Sequence, residues 1–228
     1  VAETIHGLIY LLLVLLPLSG MVAWFAGAQG AASAHVLFKT VLLVGGSGVY
    51  GTAQTQIAHY LGMKVITLVS SDAKAAFSKA NGGEHTINYR TENIVERVLA
   101  LTDGKGVDLI IDHLGGPNFT DYFDMLDKWG MIVSINGVDG RTGKDVFEEG
   151  RNHSKKSISI CFFAMYAYLE DPERYERLFE AVIPLLVNGA LKPTVARTFP
   201  LEEAPAAYKN IERVIDDLVA FGLATVIA

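Results

Sequence analysis

Cysteine is nearly absent from this 228-residue sequence, which contains only Cys161. A single thiol cannot build an internal disulfide framework or a multi-cysteine structural zinc site. Charged residues are also scarce, at 19% of the chain, where soluble domains have about a quarter. This deficit predicts either a membrane segment or an unusually buried sheet. Because Cys161 has apolar neighbours on both sides, we expect a buried and inert thiol.

Basic residues are too few for a nucleic-acid-binding protein. The 19 Lys and Arg residues are outnumbered by 25 Asp and Glu residues, so the formal net charge at pH 7 is −6. A nucleic-acid backbone is bound through a dense positive field, which this composition lacks. We therefore predict no nucleic-acid partner. Proline is rare as well, with 7 residues against 22 glycines, which favours tight turns in a packed fold over disorder.

Charge is missing altogether from residues 5–27. As a helix this run would be about 34 Å long, enough to cross a hydrocarbon core of ~30 Å. Tyr10 and Trp24 lie toward its two ends, where membrane helices carry aromatic belts. We predict a transmembrane helix and possible membrane contact through residues 5–27. A helix buried in a protein core and a secretory signal are the alternatives.

Two strings, HGLIYLLLVLLPLSG and AHVLFKTVLLV, lie within residues 3–44. This segment resembles a fragment of the small bacterial di-haem membrane cytochromes b. The resemblance implies that His35 and His6 match histidines of that family. Gly48 occupies the position of a further histidine, so most of the ligand set is missing, and haem needs two axial ligands on facing helices. We therefore expect no haem and no metal, and we interpret both histidines as polar residues at a membrane edge.

From residue 41 onward, short apolar segments alternate with helical ones. The predicted strands are 41–44, 64–69, 85–89, 107–112, 131–136 and 157–163. The predicted helices are 52–62, 72–83, 91–104 and 119–130, the third with Thr91 as its N-cap. This alternation predicts an α/β fold, a doubly wound parallel sheet of the Rossmann type. The chain divides into an apolar segment (1–40), a dinucleotide-binding domain (41–190) and a C-terminal strand–helix–strand segment (191–228).

A glycine-rich sequence follows the first strand and opens the first helix. Gly46-Ser47-Gly48-Val49-Tyr50-Gly51 has the G-x-G-x-x-G spacing of a dinucleotide-binding loop. We expect Gly46 to permit the tight turn, Gly48 to let the backbone approach a pyrophosphate, and Gly51 to bring the helix close to the strand. Free N–H groups at the helix start would bind the anion. A glycine-rich turn kept for packing alone is the alternative.

The end of the second strand indicates which dinucleotide is bound. NAD-binding proteins usually carry Asp or Glu there, to accept a hydrogen bond from the ribose 2′-hydroxyl. Here the strand ends at Val69 and continues into Ser70 and Ser71, while Asp72 is expected to cap the next helix. Lys74 follows one turn later. Two hydroxyls and an ammonium group suit a 2′-phosphate, so we predict NADP(H) over NAD(H).

The string from Val69 to Gly116, VSSDAKAAFSKANGGEHTINYRTENIVERVLALTDGKGVDLIIDHLGG, resembles the medium-chain dehydrogenase/reductase superfamily, and in particular its zinc-free quinone oxidoreductase branch. The resemblance covers about residues 41–212, which is the cofactor domain only. It implies an NADP(H)-dependent oxidoreductase of the quinone oxidoreductase type, with a quinone, enal or similar carbonyl compound as substrate. It also implies a cytoplasmic location for the dinucleotide-binding domain and a possible homodimer with residues 162–169 at the interface; packing of these residues in the core is the alternative. The cofactor contacts that it implies are Ser70, Ser71, Lys74, Tyr89, residues 112–116 and Asn136.

Two departures from this family bear on activity. The family has Gly-Val where this chain has Val49-Tyr50, so we expect weaker cofactor binding. Family members also begin with a catalytic barrel domain that orients the substrate, and nothing in this sequence resembles it. We therefore expect the isolated chain to be catalytically incomplete, and we assign no catalytic residue; we interpret His113, after the fourth strand, as structural. The alternatives are a non-catalytic nucleotide-binding module tethered to a membrane and a chimeric or truncated gene product.

Overall fold

The computed structural model describes residues 38–135, 137, 139–164, 166, 170–193 and 200–203. The predicted membrane helix at 5–27 and both candidate haem-ligand histidines, His6 and His35, lie outside these residues. So do Asn136 and most of the segment 191–228. Within the described ranges, no helix is both long and apolar enough to span a bilayer. The division of the chain at residues 40 and 190 stays a prediction.

Six parallel strands form one sheet in the order β3-β2-β1-β4-β5-β6. The strands are β1 (Thr40–Leu43), β2 (Lys64–Val69), β3 (His85–Asn88), β4 (Val107–Asp112), β5 (Leu126–Ser134) and β6 (Ser159–Phe162). The chain winds outward from β1 in one direction and then returns to wind outward in the other. The point of reversal lies between β1 and β4, where doubly wound proteins bind their ligands. The predicted doubly wound fold is confirmed.

Helices cover both faces of this sheet. The described α-helices are α1 (Val49–Tyr60), α2 (Asp72–Ala80), α3 (Ile94–Leu101), α4 (Tyr122–Met125), α5 (Val146–Asn152) and α6 (Pro172–Val187). Val41 and Leu43 of β1 pack in one apolar layer with α1 and α6, whereas Leu42 packs in the other with α4. A strand that is buried on both faces has no need of polar residues. The buried sheet therefore accounts for part of the low charge content.

Two predicted helix caps are wrong by one or two residues. Helix α3 is capped by Asn93, whose Oδ1 accepts a hydrogen bond from the Glu96 N–H at 3.2 Å. Thr91 belongs instead to the turn after β3, where its N–H donates to the Asn88 carbonyl at 3.0 Å. Helix α2 is capped by Ser71, and Asp72 is its first residue. Several residues in each stretch can act as caps, so only the backbone path decides which one does.

The helix predicted over 119–130 ends early. A 3₁₀ turn at Phe119–Asp121 leads into the short helix α4, and β5 begins directly after it at Leu126. The Lys156 ammonium, which lies thirty residues further along the chain, donates to the carbonyl oxygens of Phe123, Asp124 and Leu126 at 2.8–2.9 Å. A cation that binds the last carbonyls stabilises a helix end. This contact between distant residues cannot be seen in the local sequence.

The edge strand β6 is less buried than its sequence suggests. Cys161 is only partly buried, although it pairs with Val133 of β5, so the prediction of a buried thiol is wrong. The next residue, Phe162, is 76% exposed. Both results fit the position of β6 at the end of the sheet, where no further described strand pairs with it.

Candidate dinucleotide-binding site

The loop between β1 and α1 turns at Gly45, one residue before the predicted position. Gly45 has φ +81°, a conformation that residues other than glycine rarely adopt. Gly46 has a different reason to be glycine, because a Cβ there would collide with the Thr67 side chain on β2, with Cγ2 only 2.6 Å away. The expectation that Gly46 permits the tight turn is therefore wrong. Gly46 keeps the loop close to the neighbouring strand.

The other two glycines of the motif differ from each other. At Gly51 a Cβ would lie 2.7 Å from the Gly46 Cα and would also collide with the Gly45 carbonyl. Helix α1 thus approaches the loop as closely as expected. At Gly48 a Cβ would meet only the Gly45 oxygen, at an ordinary contact distance of 3.5 Å. The protein's own packing does not require glycine at Gly48, which leaves room there for a ligand to approach the backbone.

The first turn of α1 carries a positive electrostatic end and has no acidic side chain of its own to neutralise it. Its N-cap, Gly48, offers no side-chain hydrogen bond, and the first turn contains no acidic residue. The Thr52 N–H donates to the Gly48 carbonyl at 2.8 Å, so the N–H groups of residues 49–51 precede the first helical acceptor. Such an exposed helix start binds phosphate groups. These features are compatible with the pyrophosphate site that the sequence predicts here.

Three side chains meet where α1 faces the end of β4. The Tyr50 ring stacks on the His113 ring, with centroids 5.7 Å apart and planes inclined by 30°. His113 Nε2 lies 2.8 Å from Gln54 Oε1. Burial lowers the pKa of His113 to about 4, so the imidazole is neutral at pH 7. The sequence analysis did not identify Gln54, although its spacing of four residues from Tyr50 places both on one helix face.

The loop after β4 is organised by a buried carboxyl group. Asp112 accepts hydrogen bonds from the N–H groups of Leu114 and Gly115, at 3.0 and 2.9 Å, and from the Tyr122 hydroxyl at 3.1 Å. Burial raises the pKa of Asp112, although these bonds act in the opposite direction. Gly115 and Gly116 both have positive φ angles. Asp112 thus sets the turn that places His113 beside α1.

The predicted 2′-phosphate contacts come together at the ends of β2 and β3. Val69 pairs with Asn88, and the Tyr89 N–H donates to the Val69 carbonyl at 3.1 Å, so Tyr89 lies beside the two serines. Ser71 Oγ accepts from the Lys74 N–H at 3.3 Å as the cap of α2, and the Lys74 side chain is exposed. Ser70 is only 7% exposed. Its side chain is the least accessible of the four predicted contacts.

One further charged residue follows this group. Arg90 comes directly after Tyr89, is exposed, and has its N–H bonded to Asn88 Oδ1 at 3.1 Å. The sequence analysis did not single it out, although Arg90 directly follows the predicted tyrosine contact in the sequence.

Across the described part of the chain, no group of three or more His, Cys, Asp or Glu residues could hold a metal ion.

Comparison with known proteins agrees with this geometry. Residues 50–183 match the family described as zinc-binding dehydrogenase. The chain belongs to this family. The 2-haloacrylate reductase of a Burkholderia species is 32% identical over 174 residues, which are 74% of this chain and 50% of that protein. A quinone oxidoreductase of Pseudomonas aeruginosa is 29% identical over 174 residues, which are 76% of this chain and 53% of that protein.

Solved structures show the same relationship. Escherichia coli quinone oxidoreductase in complex with NADPH superposes with a TM-score of 0.68 and 26% identity, over 77% of this chain and 54% of that one. The 2-haloacrylate reductase structure gives a TM-score of 0.73 and 30% identity, over 88% and 61%. These matches confirm the predicted membership of the quinone oxidoreductase branch of the medium-chain dehydrogenase/reductases. They give no support to the cytochrome b resemblance. The chain spans about half the length of the curated relatives that it matches.

Proposed function

We propose that this chain binds NADP(H) and forms the cofactor-binding part of an oxidoreductase that reduces quinones, enals or related carbonyl compounds. The observation that carries the proposal is the start of α1, where unneutralised N–H groups stand beside Gly48, a glycine that packing does not require. A relative of the same branch, the Escherichia coli quinone oxidoreductase, has been crystallised with NADPH. The site residues proposed for the pyrophosphate are those of the loop Gly46–Gly51.

The preference for a 2′-phosphate rests on the groups at the ends of β2 and β3. The Ser71 oxygen accepts from the Lys74 N–H, which leaves its hydroxyl proton available to donate to a phosphate. The Lys74 side chain is exposed, and the Tyr89 backbone N–H bonds to the Val69 carbonyl at the same strand end. We propose Ser71, Lys74 and Tyr89 as 2′-phosphate contacts, with Ser70 supporting the turn.

NADPH supplies a hydride, and a quinone that accepts this hydride together with one proton becomes a hydroquinone. The residues of this chain would bind the pyrophosphate, orient the two halves of the dinucleotide and exclude water from the side that faces the sheet. Such orientation can be worth ~7–11 kcal/mol of the barrier. We assign no proton donor among the described side chains. His113 is neutral, and its Nε2 is already engaged with Gln54 Oε1.

The decisive experiment is calorimetric titration of the full chain with NADPH and with NADH. We expect NADPH to bind at least about tenfold more tightly, since one charge-assisted contact contributes ~1.5–3 kcal/mol. A rival function, nucleotide binding without chemistry, predicts the same titration but no oxidation of NADPH by any acceptor. Equal affinities for the two cofactors would remove the NADP(H) proposal.

We further propose that the 228-residue chain is a poor catalyst by itself, because it spans about half the length of its relatives. We expect at most trace oxidation of NADPH with a simple benzoquinone. The measurement is steady-state absorbance at saturating NADPH. Turnover in the ordinary enzymatic range, ~1–10³ s⁻¹, would contradict this proposal.

Two finer proposals concern assembly and location. The exposed Phe162 on the edge strand β6 and the exposed Tyr166 nearby support a homodimer across that edge, which sedimentation equilibrium of the wild type and Phe162→Asp would test.

The uncharged run at 5–27 supports membrane anchoring of an otherwise cytoplasmic domain. Flotation with liposomes should carry the full chain upward and leave a chain that lacks residues 1–40 at the bottom.

A further inference from the structure

The start of β5 carries an exposed tryptophan in a strained backbone conformation. The register between β4 and β5 shifts after Val107, and residues 127–130 bulge out of the pairing. Trp129 lies in this bulge, is 76% exposed and has φ +65°. A bulky residue rarely adopts this left-handed conformation, and strained residues cluster at functional sites. Because the ring contributes little to the core, its position indicates a partner outside the fold.

Exposed lysines lie on the same side of the sheet as Trp129, which is the side where the parallel strands begin. Lys39 precedes β1, Lys105 precedes β4, and Lys128 adjoins Trp129 in the bulge. Lys39 and Lys105 line one cleft together with Asp127, which also belongs to the bulge. We call Trp129 with Lys39, Lys105 and Lys128 the Trp129 surface.

The carboxyl groups on this side of the sheet are less accessible than the lysines. Asp108 and Asp127 are half-buried, and each accepts a hydrogen bond from a backbone N–H group, at 2.8 Å from Thr40 and at 2.6 Å from Lys128. Asp103 is exposed. With Lys64, which also lines the cleft, lysines outnumber these carboxylates, although the whole chain has a formal charge of −6. The Trp129 surface is therefore aromatic and mildly cationic.

The uncharged run at 5–27 joins the domain on this same side. Phe38, the first described residue, directly precedes Lys39, and β1 begins at Thr40. Only residues 28–37 separate Phe38 from the run, and a segment of this length spans at most ~36 Å when fully extended. With the run in a bilayer, the start of β1 must lie within that distance of the lipid.

We propose that the Trp129 surface contacts the headgroup layer of the bilayer that holds residues 5–27. The inference rests on the proposed membrane anchoring, and it deepens that proposal by naming the side of the domain that faces the lipid. An indole has an apolar ring and a polar N–H, which suit the boundary between acyl chains and water. Lysines beside it bind anionic headgroups through their ammonium groups. The proposed dinucleotide site, at the opposite ends of the strands, then faces water.

The experiment measures the depth of Trp129 in lipid. Trp24 and Trp129 are the two tryptophans of the chain, so the full chain with Trp24→Phe has Trp129 as its only indole. This variant is placed in nanodiscs of phosphatidylcholine and phosphatidylglycerol. We expect lipids brominated near the headgroup to quench its fluorescence more than lipids brominated at the chain ends, and we expect protection from acrylamide in the water.

The matched control moves the indole to another exposed position. Phe147 is 84% exposed in the first turn of α5, on the connection that leaves the end of β5. Phe147→Trp, in a chain with both native tryptophans changed to Phe, should be quenched by acrylamide and not by brominated lipid.

Three further variants test the lysines and the strained backbone. Lys105→Gln and Lys128→Gln should each lower the ratio of lipid-contacting to detached protein by about fivefold, measured as the lipid-quenched fraction of Trp129 emission. Lys144→Gln, exposed after the end of β5, should leave that fraction unchanged. Trp129→Gly should unfold at the same or a higher denaturant concentration than the wild type, because glycine adopts a positive φ freely.

Each adverse outcome has a separate meaning. A full chain that does not float with liposomes removes the anchoring proposal, and this inference fails with it. A chain that floats, but in which acrylamide quenches Trp129 as strongly as the Phe147→Trp control, keeps the anchoring and overturns the inference. Protection of Trp129 from both acrylamide and brominated lipid would also overturn it, because another part of this chain or a second copy would then cover the ring. Destabilisation by Trp129→Gly would show that the ring serves the fold instead.

Discussion

The side of the sheet where the parallel strands begin, here called the amino edge, and the side where they end, the carboxyl edge, use their polar groups in opposite ways. At the amino edge, Asp108 Oδ2 accepts from the N–H groups of Lys39 and Thr40 at 2.9 and 2.8 Å, and Lys64 Nζ donates to the Leu101 carbonyl at 2.7 Å. At the carboxyl edge, the N-cap Gly48 gives the N–H groups that open α1 no side-chain hydrogen bond, and Gln54 Nε2 has no partner within the described chain. The amino edge holds the strands together, whereas the carboxyl edge is left able to bind.

The amino edge also carries a cavity. A polar cleft of about 390 Å³ lies at the amino edge, and lysine and aspartate residues are among those that line it. Several of these groups, including Asp108 and Lys64, already have backbone partners. We therefore expect ligand binding at the carboxyl edge, where polar groups lack partners, rather than in this cleft.

The largest effect is expected at Gly51. Gly51→Ala places a Cβ against the backbone of the loop, so we expect a loss of about 2–3 kcal/mol of unfolding free energy, in the range of overpacking, together with loss of cofactor binding. Gly48→Ala is the matched control because its Cβ has room. It should unfold within about 1 kcal/mol of the wild type and still bind NADPH poorly. Chemical denaturation measures the unfolding free energy, and calorimetry measures the affinity for NADPH. Equal changes in unfolding free energy in the two variants would contradict the assignment of Gly51 to packing and of Gly48 to ligand approach.

The second prediction concerns the amino edge. Lys156→Met removes the ammonium group from three carbonyl oxygens, and we expect a loss of about 2–3 kcal/mol of unfolding free energy. The affinity of the folded protein for NADPH should not change. Lys155→Met, the exposed neighbour, should leave both quantities unchanged. A change in affinity with Lys156→Met would mean that the two edges are coupled.

The third prediction concerns cofactor choice at the carboxyl edge. Lys74→Ala should weaken NADPH by ~1–3 kcal/mol, the range for a charge-assisted contact, and leave NADH nearly unchanged. Lys79→Ala, on the last turn of the same helix, should affect neither cofactor. Equal losses for NADPH and NADH with Lys74→Ala would show that the lysine acts through the helix rather than through a 2′-phosphate.

The smallest effect is the pH dependence of the contact between α5 and α4. Partial burial lowers the pKa of His153, but bonds to Asp124 Oδ1 and the Glu149 carbonyl, each 2.9 Å, outweigh it, so the pKa is raised above 6.5. A raised pKa means that the contribution to stability is complete below pH 6.5 and is lost as the pH rises through the folded-state pKa. Lys156 is nearby and opposes protonation.

The measurement is the unfolding free energy at pH 5.5 and 8.5. Since Asp124 is mostly exposed, we expect the wild type to gain less than about 1 kcal/mol at the lower pH relative to His153→Gln. Asp124→Asn should reduce that gain. A larger gain for the wild type at pH 8.5 than at pH 5.5 would reverse the sign and refute the assignment.

Short sequence patterns predicted the features that depend on neighbouring residues. Alternating apolar segments located all six strands, because a strand buried on both faces must be apolar along its length. The same signals failed where two distant residues meet. The end of α4 depends on Lys156, and the caps at Asn93 and Ser71 depend on the path of the chain out of the preceding strand. The sequence analysis also named Tyr50 and His113 separately, without predicting that they stack.

The sequence by itself determined the family, the order of strands and helices, and the residues that carry a dinucleotide loop, because each of these depends on residue type and short spacing. Only the tertiary structure decided that Gly45 rather than Gly46 makes the turn, and that Gly51 must be glycine while Gly48 has room. It alone brought together Tyr50, Gln54 and His113. Gln54 and His113 are 59 residues apart in the sequence. The physical reason is that steric exclusion and hydrogen-bond satisfaction depend on which atoms become neighbours, and the packing of α1 against β4 settles that.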